Sequence, residues 1–484
     1  MQNNAGILWF TFTIPPKVFM EEEIKLEYLV SRYEETFGQG KSIYFDADQL
    51  CDIACYYELK EDFMEALKAV SSGLSLHPGH SQLTLLKAKY LLFLDCIDES
   101  KALLASVTEE SEQTTLIRIE LSFAEGKSVE GFAMIEEAMG SQDVDGIFCL
   151  DIISILWGYA TYEQIVEYAE KALKMLPDDK DLLLEIGTIY LDNNQGNKAN
   201  IIFNHLLDLD PYQTDIWKEQ ARAYASMGEF EKAVEACDFA LAIQEDPDTL
   251  FYKGVCQYDN EDYQDAIITF EEYGKTPDNK NKAYLYIASC YRNLEKTSIS
   301  IEYLKQALEM NPKDPEIYYH LAYNYLDMGN TPMAKQEINN AIGLDGGNSE
   351  WYALLGDILM QEENFEEATD IFNKVLTLDP ANIYSLIALG DCYEKQNNFP
   401  LAVECYEKAF HIERYTIRVV FRLIMGYYNI GENDKATAII QEIETVFEEL
   451  QEKNQLKDNN ALIETYNWIE SLRQIVKDKL NGEE

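Results

Sequence analysis

The sequence predicts an all-α protein built as an array of helical hairpins, and three series of residues in phase support this prediction. A small residue returns at intervals of 34 residues, with one interval of 33. A series of tyrosines and a series of Gly or Ala precede it at the same period. A fixed period of about 20–50 residues indicates stacked repeat units rather than a single globular core. The three series are Ala199, Ala233, Ala266, Ser300, Ala334, Ala368, Ala402 and Ala436; Tyr190, Tyr224, Tyr291, Tyr325, Tyr393 and Tyr427; and Gly187, Ala221, Gly254, Ala288, Ala322, Gly356 and Gly390.

The stretch from Asp181 to Asp215 shows what one unit contains. An apolar stripe with steps of three and four residues predicts a first helix, and turn-forming residues at 193–197 end it. A second stripe follows, and the helix that it predicts stops at Pro211, because proline rarely continues a helix interior. One hairpin cannot bury its apolar face alone, so neighbouring units must stack. The two stripes are Leu183, Ile186, Gly187 and Tyr190, then Ala199, Ile202, Phe203, Leu206 and Leu207.

The chain divides into four predicted regions. Residues 1–19 carry neither the basic start nor the small-residue cleavage site of a signal peptide. We interpret them as a non-native leader or misassigned start before Met20, with an export signal as the alternative. An N-terminal helix is expected within 20–40 and the repeat array within 47–447. The repeat pattern is degenerate around 111–145, which fits either a bend or simple drift of the repeat. A C-terminal capping helix and tail are expected at 449–484.

The charge balance limits the class of partner. Lys and Arg number 39 against 87 Asp and Glu, which gives a formal net charge of −48. Nucleic-acid binding depends on neutralising phosphates, and anionic membranes attract basic segments, so we expect neither partner. The nine cysteines are scattered without a shared spacing, which favours reduced thiols in a cytoplasmic protein.

No motif in the sequence points to catalysis. The chain lacks a Gly-rich phosphate loop, an HExxH pair, a CxxC pair and a nucleophile elbow. We therefore expect a protein that is not an enzyme and uses no metal or cofactor. Two alternatives remain open at this point. One is an enzyme of the α/α-toroid type, in which helical hairpins surround a cleft, and the other is a self-assembling structural protein.

The phased pattern resembles the tetratricopeptide repeat family. That family has a bulky residue, then Leu-Gly/Ala, Tyr, Ala, an aromatic residue, Ala and Pro at fixed places. The resemblance implies a right-handed superhelical solenoid of about twelve hairpins with a helical cap. It also implies a concave groove lined by the first helix of each hairpin. Matching stretches are Trp217, Ala221, Tyr224, Ala233 and Ala240; Tyr318, Leu321, Ala322, Tyr325, Ala334, Ile338 and Ala341; and Leu389, Gly390, Tyr393, Ala402, Tyr406 and Ala409.

The groove that this resemblance implies would be lined by an aromatic and basic set of residues. Tyrosine and tryptophan are common anchors at binding surfaces. In the clamp subfamily, which holds a peptide's terminal carboxylate, two lysine positions match this chain, while the Asn and Arg positions do not. Carboxylate capture as in that subfamily is therefore not implied, and a related but different acidic or C-terminal peptide stays open as the ligand. The groove candidates are Lys218, Arg222, Phe251, Tyr252, Tyr258, Lys282, Tyr286, Arg292, Tyr319, His320 and Tyr323.

Together these observations predict a non-catalytic scaffold or adaptor that binds a protein or peptide along its groove. The partner would carry a basic surface or a free C-terminus. A partner with a basic surface would be attracted by the negative charge of this chain. Self-association is a further expectation, because repeat faces can pair with copies of themselves.

Overall fold

The structure is a computed structural model that describes residues 25–35, 44–140, 144–452 and 462–471. All regular structure in these residues is α-helical. The expected leader at 1–19 lies outside the described residues, as do the ends of the two predicted terminal helices. None of the described helices is both long and apolar enough to cross a membrane.

The chain forms two compact units, which meet in sequence between Glu229 and Phe230. The first unit holds the N-terminal helix and the following helices up to the first helix of the sixth repeat. Its helices are α1 (residues 25–35), α2 (Ala47–Leu59), α3 (Phe63–Leu76), α4 (Ser81–Phe93), α5 (Ile97–Leu104), α6 (Glu112–Ala124), α7 (Ser128–Met139), α8 (Gly146–Tyr159), α9 (Tyr162–Met175), α10 (Lys180–Asp192), α11 (Gly196–Leu209) and α12 (Thr214–Ser226).

The second unit begins with a second helix and ends with a short helix after the last hairpin. Its helices are α13 (Phe230–Ile243), α14 (Pro247–Asp259), α15 (Tyr263–Tyr273), α16 (Pro277–Asn293), α17 (Thr297–Met310), α18 (Pro315–Asp327), α19 (Thr331–Leu344), α20 (Ser349–Gln361), α21 (Phe365–Leu378), α22 (Ile383–Lys395), α23 (Phe399–Ile412), α24 (Ile417–Ile430), α25 (Asn433–Glu452) and α26 (residues 462–471).

The predicted all-α array of about twelve hairpins is confirmed. Helices α2 to α25 number 24 and alternate as first and second helices of consecutive repeats. Within each unit the strongest helix contacts join neighbours in sequence, such as α18 with α19 and α20 with α21. The stretch around 111–145, where the repeat pattern is degenerate, still forms two helices, α6 and α7. Its sequence departs from the repeat pattern, but its helical hairpin is retained.

The series of small residues marks the places where the two helices of a hairpin come closest. A Cβ atom on Gly356 would lie 2.5 Å from a ring carbon of Phe372, and one on Gly254 would lie 2.6 Å from Phe270. The small residue of the second helix is equally confined, since Ala334 and Ala368 are fully buried. These contacts explain the period of the sequence, because each repeat needs its small residues at the same height along the hairpin.

Local sequence signals set the ends of the helices. Asp246 accepts a hydrogen bond from the Thr249 amide at 3.1 Å, and Pro247 follows it in the first turn of α14. Most turns within hairpins use a residue with a positive φ, for example 73° at Gly329 and 60° at Asn397. At the C-terminus, α26 buries Leu462 and Ile469 and stacks Tyr466 on Phe447 with the ring centroids 3.8 Å apart. Residues 453–461 and 472–484 of the predicted C-terminal region lie outside the described residues.

Candidate functional site

In the second unit, the first helices α14 to α24 are linked by an unbroken series of side-chain contacts. We call this surface the first-helix face. Each contact joins one first helix to the next, so the repeats place these side chains side by side. The face includes eight of the predicted groove residues, namely Phe251, Tyr258, Lys282, Tyr286, Arg292, Tyr319, His320 and Tyr323, and it continues through Asp357, Tyr384, Asp391, Arg418 and Arg422.

Its N-terminal end is an aromatic cluster between α14 and α16. The rings of Phe251 and Tyr286 meet at right angles with their centroids 4.9 Å apart. The Lys282 ammonium lies 3.6 Å from the centre of the Phe251 ring, a cation–π contact. Tyr258 accepts a hydrogen bond of 2.8 Å from the side-chain amide of Asn293. The structure therefore brings Phe251, Lys282 and Tyr286 together at this point, while Tyr258 contacts α16 separately, through Asn293.

A second cation stacks on a ring between α16 and α18. The Arg292 guanidinium carbon lies 3.7 Å from the centre of the Tyr323 ring, and Arg292 Nε donates a hydrogen bond of 2.7 Å to Asp327. A guanidinium held by both a ring and a carboxylate has a fixed orientation. Arg292 is therefore preorganised.

Tyr319 and His320 lie next to this arginine and are partly buried. Tyr319 packs against Trp351 at 4.7 Å, and burial raises the pKa of its hydroxyl to about 12. Burial, together with the positive charge of Arg292, lowers the pKa of His320 to about 4. The histidine is consequently neutral at pH 7, so it offers polar contacts without adding charge to the face.

The C-terminal part of the face was not among the sequence candidates. The Tyr384 hydroxyl donates a 2.5 Å hydrogen bond to Asp357, and the Arg418 guanidinium lies 5.2 Å from the Tyr384 ring. Arg422 donates a hydrogen bond of 2.8 Å to Asp391. Arg414, Arg418 and Arg422 follow each other at steps of four residues. This spacing of arginines in so acidic a chain is the signal that could have identified this part of the face.

Three sequence candidates stand apart from this face. Lys218 and Arg222 belong to the first unit, where carboxylates surround them. The Lys218 ammonium lies 3.4 Å from Asp215, and Arg222 is 2.7 Å from Glu219. Tyr252 is partly buried on α14 and hydrogen-bonds the Cys256 thiol.

The first helices of the first unit carry a different chemistry. Carboxylates stand on α6, α8, α10 and α12, and burial raises the pKa of each of them, to about 7 at Glu120. An ion pair of 2.6 Å joins Lys89 to Glu58 nearby. The four carboxylates are those of Glu120, Asp151, Glu185 and Glu219.

Together, the repeated hairpins and the side chains presented by their first helices define a helical-repeat protein. Residues 223–416 match a family model described as the N-terminal ARM repeat of tetratricopeptide repeat protein 21. This match confirms the recognition of repeats of the tetratricopeptide type. No curated protein matches the sequence significantly.

Solved structures with a similar fold include yeast Tom70, with 15% identity, a TM-score of 0.45, and coverage of 90% of this chain and 97% of that one. The Cut9–Hcn1 hetero-tetramer of the APC/C is 14% identical, with a TM-score of 0.38 and coverage of 85% and 94%. MamA is 22% identical, with a TM-score of 0.31 over 35% of this chain and 97% of its own.

Proposed function

We propose that this protein is a non-catalytic adaptor that binds a peptide segment of a partner protein along the first-helix face of its second unit. The observation that supports this most is the repeated stacking of cations on aromatic rings along successive first helices. The pairs are Lys282 with Phe251, Arg292 with Tyr323, and Arg418 with Tyr384.

These pairs favour a ligand with acidic and apolar side chains or a free C-terminal carboxylate. The rings supply apolar contact area, while the cations, set in a chain of net charge −48, are local positive points. Because the rings and cations already hold one another in place, little side-chain freedom is lost when the ligand binds. Basic segments are better suited to the carboxylates of the first unit, and Lys218 and Arg222 would modulate binding there.

The experiment begins with selection of a phage-displayed peptide library on the wild-type protein. The affinity of an enriched peptide is then measured by fluorescence anisotropy. Reversing the exposed charge in Lys282→Glu should weaken binding by roughly tenfold or more, which corresponds to about 1.4 kcal/mol. The control is Lys313→Glu, which reverses another exposed lysine in the turn before α18. Equal affinity of both variants would place the ligand elsewhere, and a library without enrichment would contradict the adaptor function.

A second variant tests the aromatic part of the same site. Tyr286→Ala with Tyr319→Ala should abolish binding of the enriched peptide. Both rings also pack against neighbours at 4.7–4.9 Å, so the free energy of unfolding is measured alongside. Loss of binding in a protein that still unfolds cooperatively supports the assignment.

We also propose that the protein works in a reducing compartment such as the cytoplasm. All nine cysteines are free thiols, and seven of them are buried. Buried free thiols are typical of proteins kept under reducing conditions. Thiol titration of the purified protein in the absence of reductant should find the seven buried groups unreactive until the protein is denatured.

A further inference from the structure

A cavity of about 310 Å³ lies between α15, α16 and α17 of the second unit. Its walls are mostly apolar and aromatic, and its rim is polar and exposed. Two of the three helices that form it are second helices. The walls are formed by Phe270, Gly274, Ala283, Tyr284, Ile287 and Tyr303, and the rim by Glu271, Lys280 and Gln306.

The cavity arises from an irregular division of the chain into helices. Helix α15 has 11 residues, whereas the second helices α13, α17, α19, α21 and α23 each have 14. Helix α16 starts early, at Pro277, and has 17 residues, against 13 in α14 and α18. The last turn of α15 is therefore missing, and the chain crosses to α16 before it can fill this space.

In neighbouring repeats the corresponding position carries a large apolar residue, and Leu308, Ile342 and Leu376 pack there against the core. In the second unit a large apolar side chain stands eight positions after the small residue of the second helix, with two exceptions: Gly274 after Ala266, and Glu444 after Ala436 in the last hairpin. A Cβ atom on Gly274 would lie 2.8 Å from the Cβ of Ala283, so the local backbone leaves no room for a side chain. The large apolar residues at this position in the second unit are Leu241, Leu308, Ile342, Leu376 and Phe410.

The two charges at the rim are not equivalent. The Tyr303 hydroxyl donates a hydrogen bond of 3.5 Å to the Glu271 carboxylate. The Lys280 ammonium lies 5.5 Å from the Tyr284 ring, and no carboxylate of the described residues forms an ion pair with it. The rim thus holds a cation that can still accept an anionic partner.

We propose that this cavity binds an aromatic side chain that stands next to an acidic residue in a peptide segment of a partner protein. A dry apolar cavity of about 150 Å³ is enough for benzene, so a volume of about 310 Å³ has room for a phenyl or indole group. The ring would pack on Tyr284 and Tyr303, whose centroids are 5.3 Å apart. The neighbouring carboxylate would pair with Lys280. The open, polar rim leaves space for the peptide backbone outside the cavity.

A labelled pentapeptide with one phenylalanine between two glutamates tests this proposal by fluorescence anisotropy. We expect saturable binding, weakened at least tenfold when alanine replaces the phenylalanine or lysines replace the glutamates, because a few buried anchors carry most of the binding energy of an interface. Equal affinity of these peptides, or no binding at millimolar concentration, would overturn it. Free 3-phenylpropionate should compete only weakly. Competition as strong as that of the unlabelled peptide would assign the cavity to small aromatic acids instead.

Two variants locate the binding at the cavity. Gln306→Trp fills the space from an exposed position and should abolish binding, while Lys280→Glu should weaken it at least tenfold. Lys305→Glu, the adjacent exposed residue of α17 that does not line the cavity, should leave the affinity unchanged. Circular dichroism verifies that each variant folds. If Gln306→Trp does not fold, the comparison of the peptide affinities of Lys280→Glu and Lys305→Glu decides whether the peptide binds at the cavity. Unchanged affinity in the folded Lys280→Glu protein would contradict the proposal.

Discussion

Single residues at the closest helix approaches set the stability of each hairpin. Ala368 is fully buried in α21, one helix turn before the Phe372 ring that lies against Gly356. We predict that Ala368→Leu lowers the free energy of unfolding by about 1–3 kcal/mol, since the added atoms overpack the hairpin. Urea denaturation measures this. Glu366→Leu, an exposed change in the same helix, should alter it by less than about 0.5 kcal/mol. Equal stability of Ala368→Leu and wild type would mean that the hairpin can open to admit the larger residue.

A carboxyl group in the first unit makes stability depend on pH. Burial raises the pKa of Glu120 from about 4.5 to about 7, with a further contribution from the Glu58 carboxylate, opposed by Lys89. Between these values the folded state binds a proton that the unfolded state lacks, so stability falls as pH rises through this range. Glu120→Gln should remove this loss and be the more stable protein at pH 8, by at most about 3 kcal/mol.

Urea denaturation of both proteins at pH 5 and pH 8 measures this difference. The gap between the variant and the wild type should be larger at pH 8 than at pH 5. A gap of the same size at both pH values would show that Glu120 ionises as an ordinary exposed carboxyl group.

The residue types of the candidate face could be predicted from sequence, but their pairing could not. Phe251, Lys282 and Tyr323 follow from repeat position alone. The stacking of Arg292 on Tyr323 depends on the spacing between two first helices, which no single repeat encodes. The contact of Arg418 with Tyr384 likewise joins two first helices and has no signature within a single repeat.

At the level of elements, the turn inside a hairpin can be improved without touching the core. Glu363 joins α20 to α21 with a φ of 56°, a left-handed conformation that glycine adopts more readily than other residues. We predict that Glu363→Gly raises the free energy of unfolding by up to about 1 kcal/mol. In α19, Gln336→Gly should instead lower it by roughly 0.5–1 kcal/mol, because glycine weakens a helix interior. Thermal unfolding compares the two, and a loss of stability in Glu363→Gly would show that the glutamate forms contacts worth more than the strain.

The helices themselves could be predicted well wherever the pattern was regular. The unit read from Asp181 to Asp215 forms α10 and α11 with their turn where expected. The short α15 and long α16 could not be foreseen, because the interval from Ala266 to Ser300 is still 34 residues. The residues that α15 lacks are compensated by the extra residues of α16, so the repeat period does not reveal the shifted helix boundary. A sequence signal of the shift is Gly274 in place of a large apolar residue.

At the level of the whole molecule, electrostatic repulsion opposes folding. The formal charge of −48 far exceeds what the ion pairs can offset, and most of these pairs are solvent-exposed, a class that contributes about 0–1 kcal/mol each. Screening should therefore stabilise the fold. We predict that the midpoint temperature of unfolding rises between 10 mM and 200 mM NaCl, and equally in choline chloride. A fall with salt would mean that ion pairs outweigh the repulsion.

The irregular boundary between α15 and α16 also bears on how such proteins acquire new surfaces. Because the two helix lengths compensate, a cavity opens without inserting or deleting a residue, and the neighbouring repeats keep their phase. The glycine at the eighth position after Ala266 accompanies this change, since the backbone there leaves no room for a side chain. A stacked array can therefore gain a pocket in any one repeat while its length stays constant, which offers a route to new specificity that comparisons of repeat length alone would overlook.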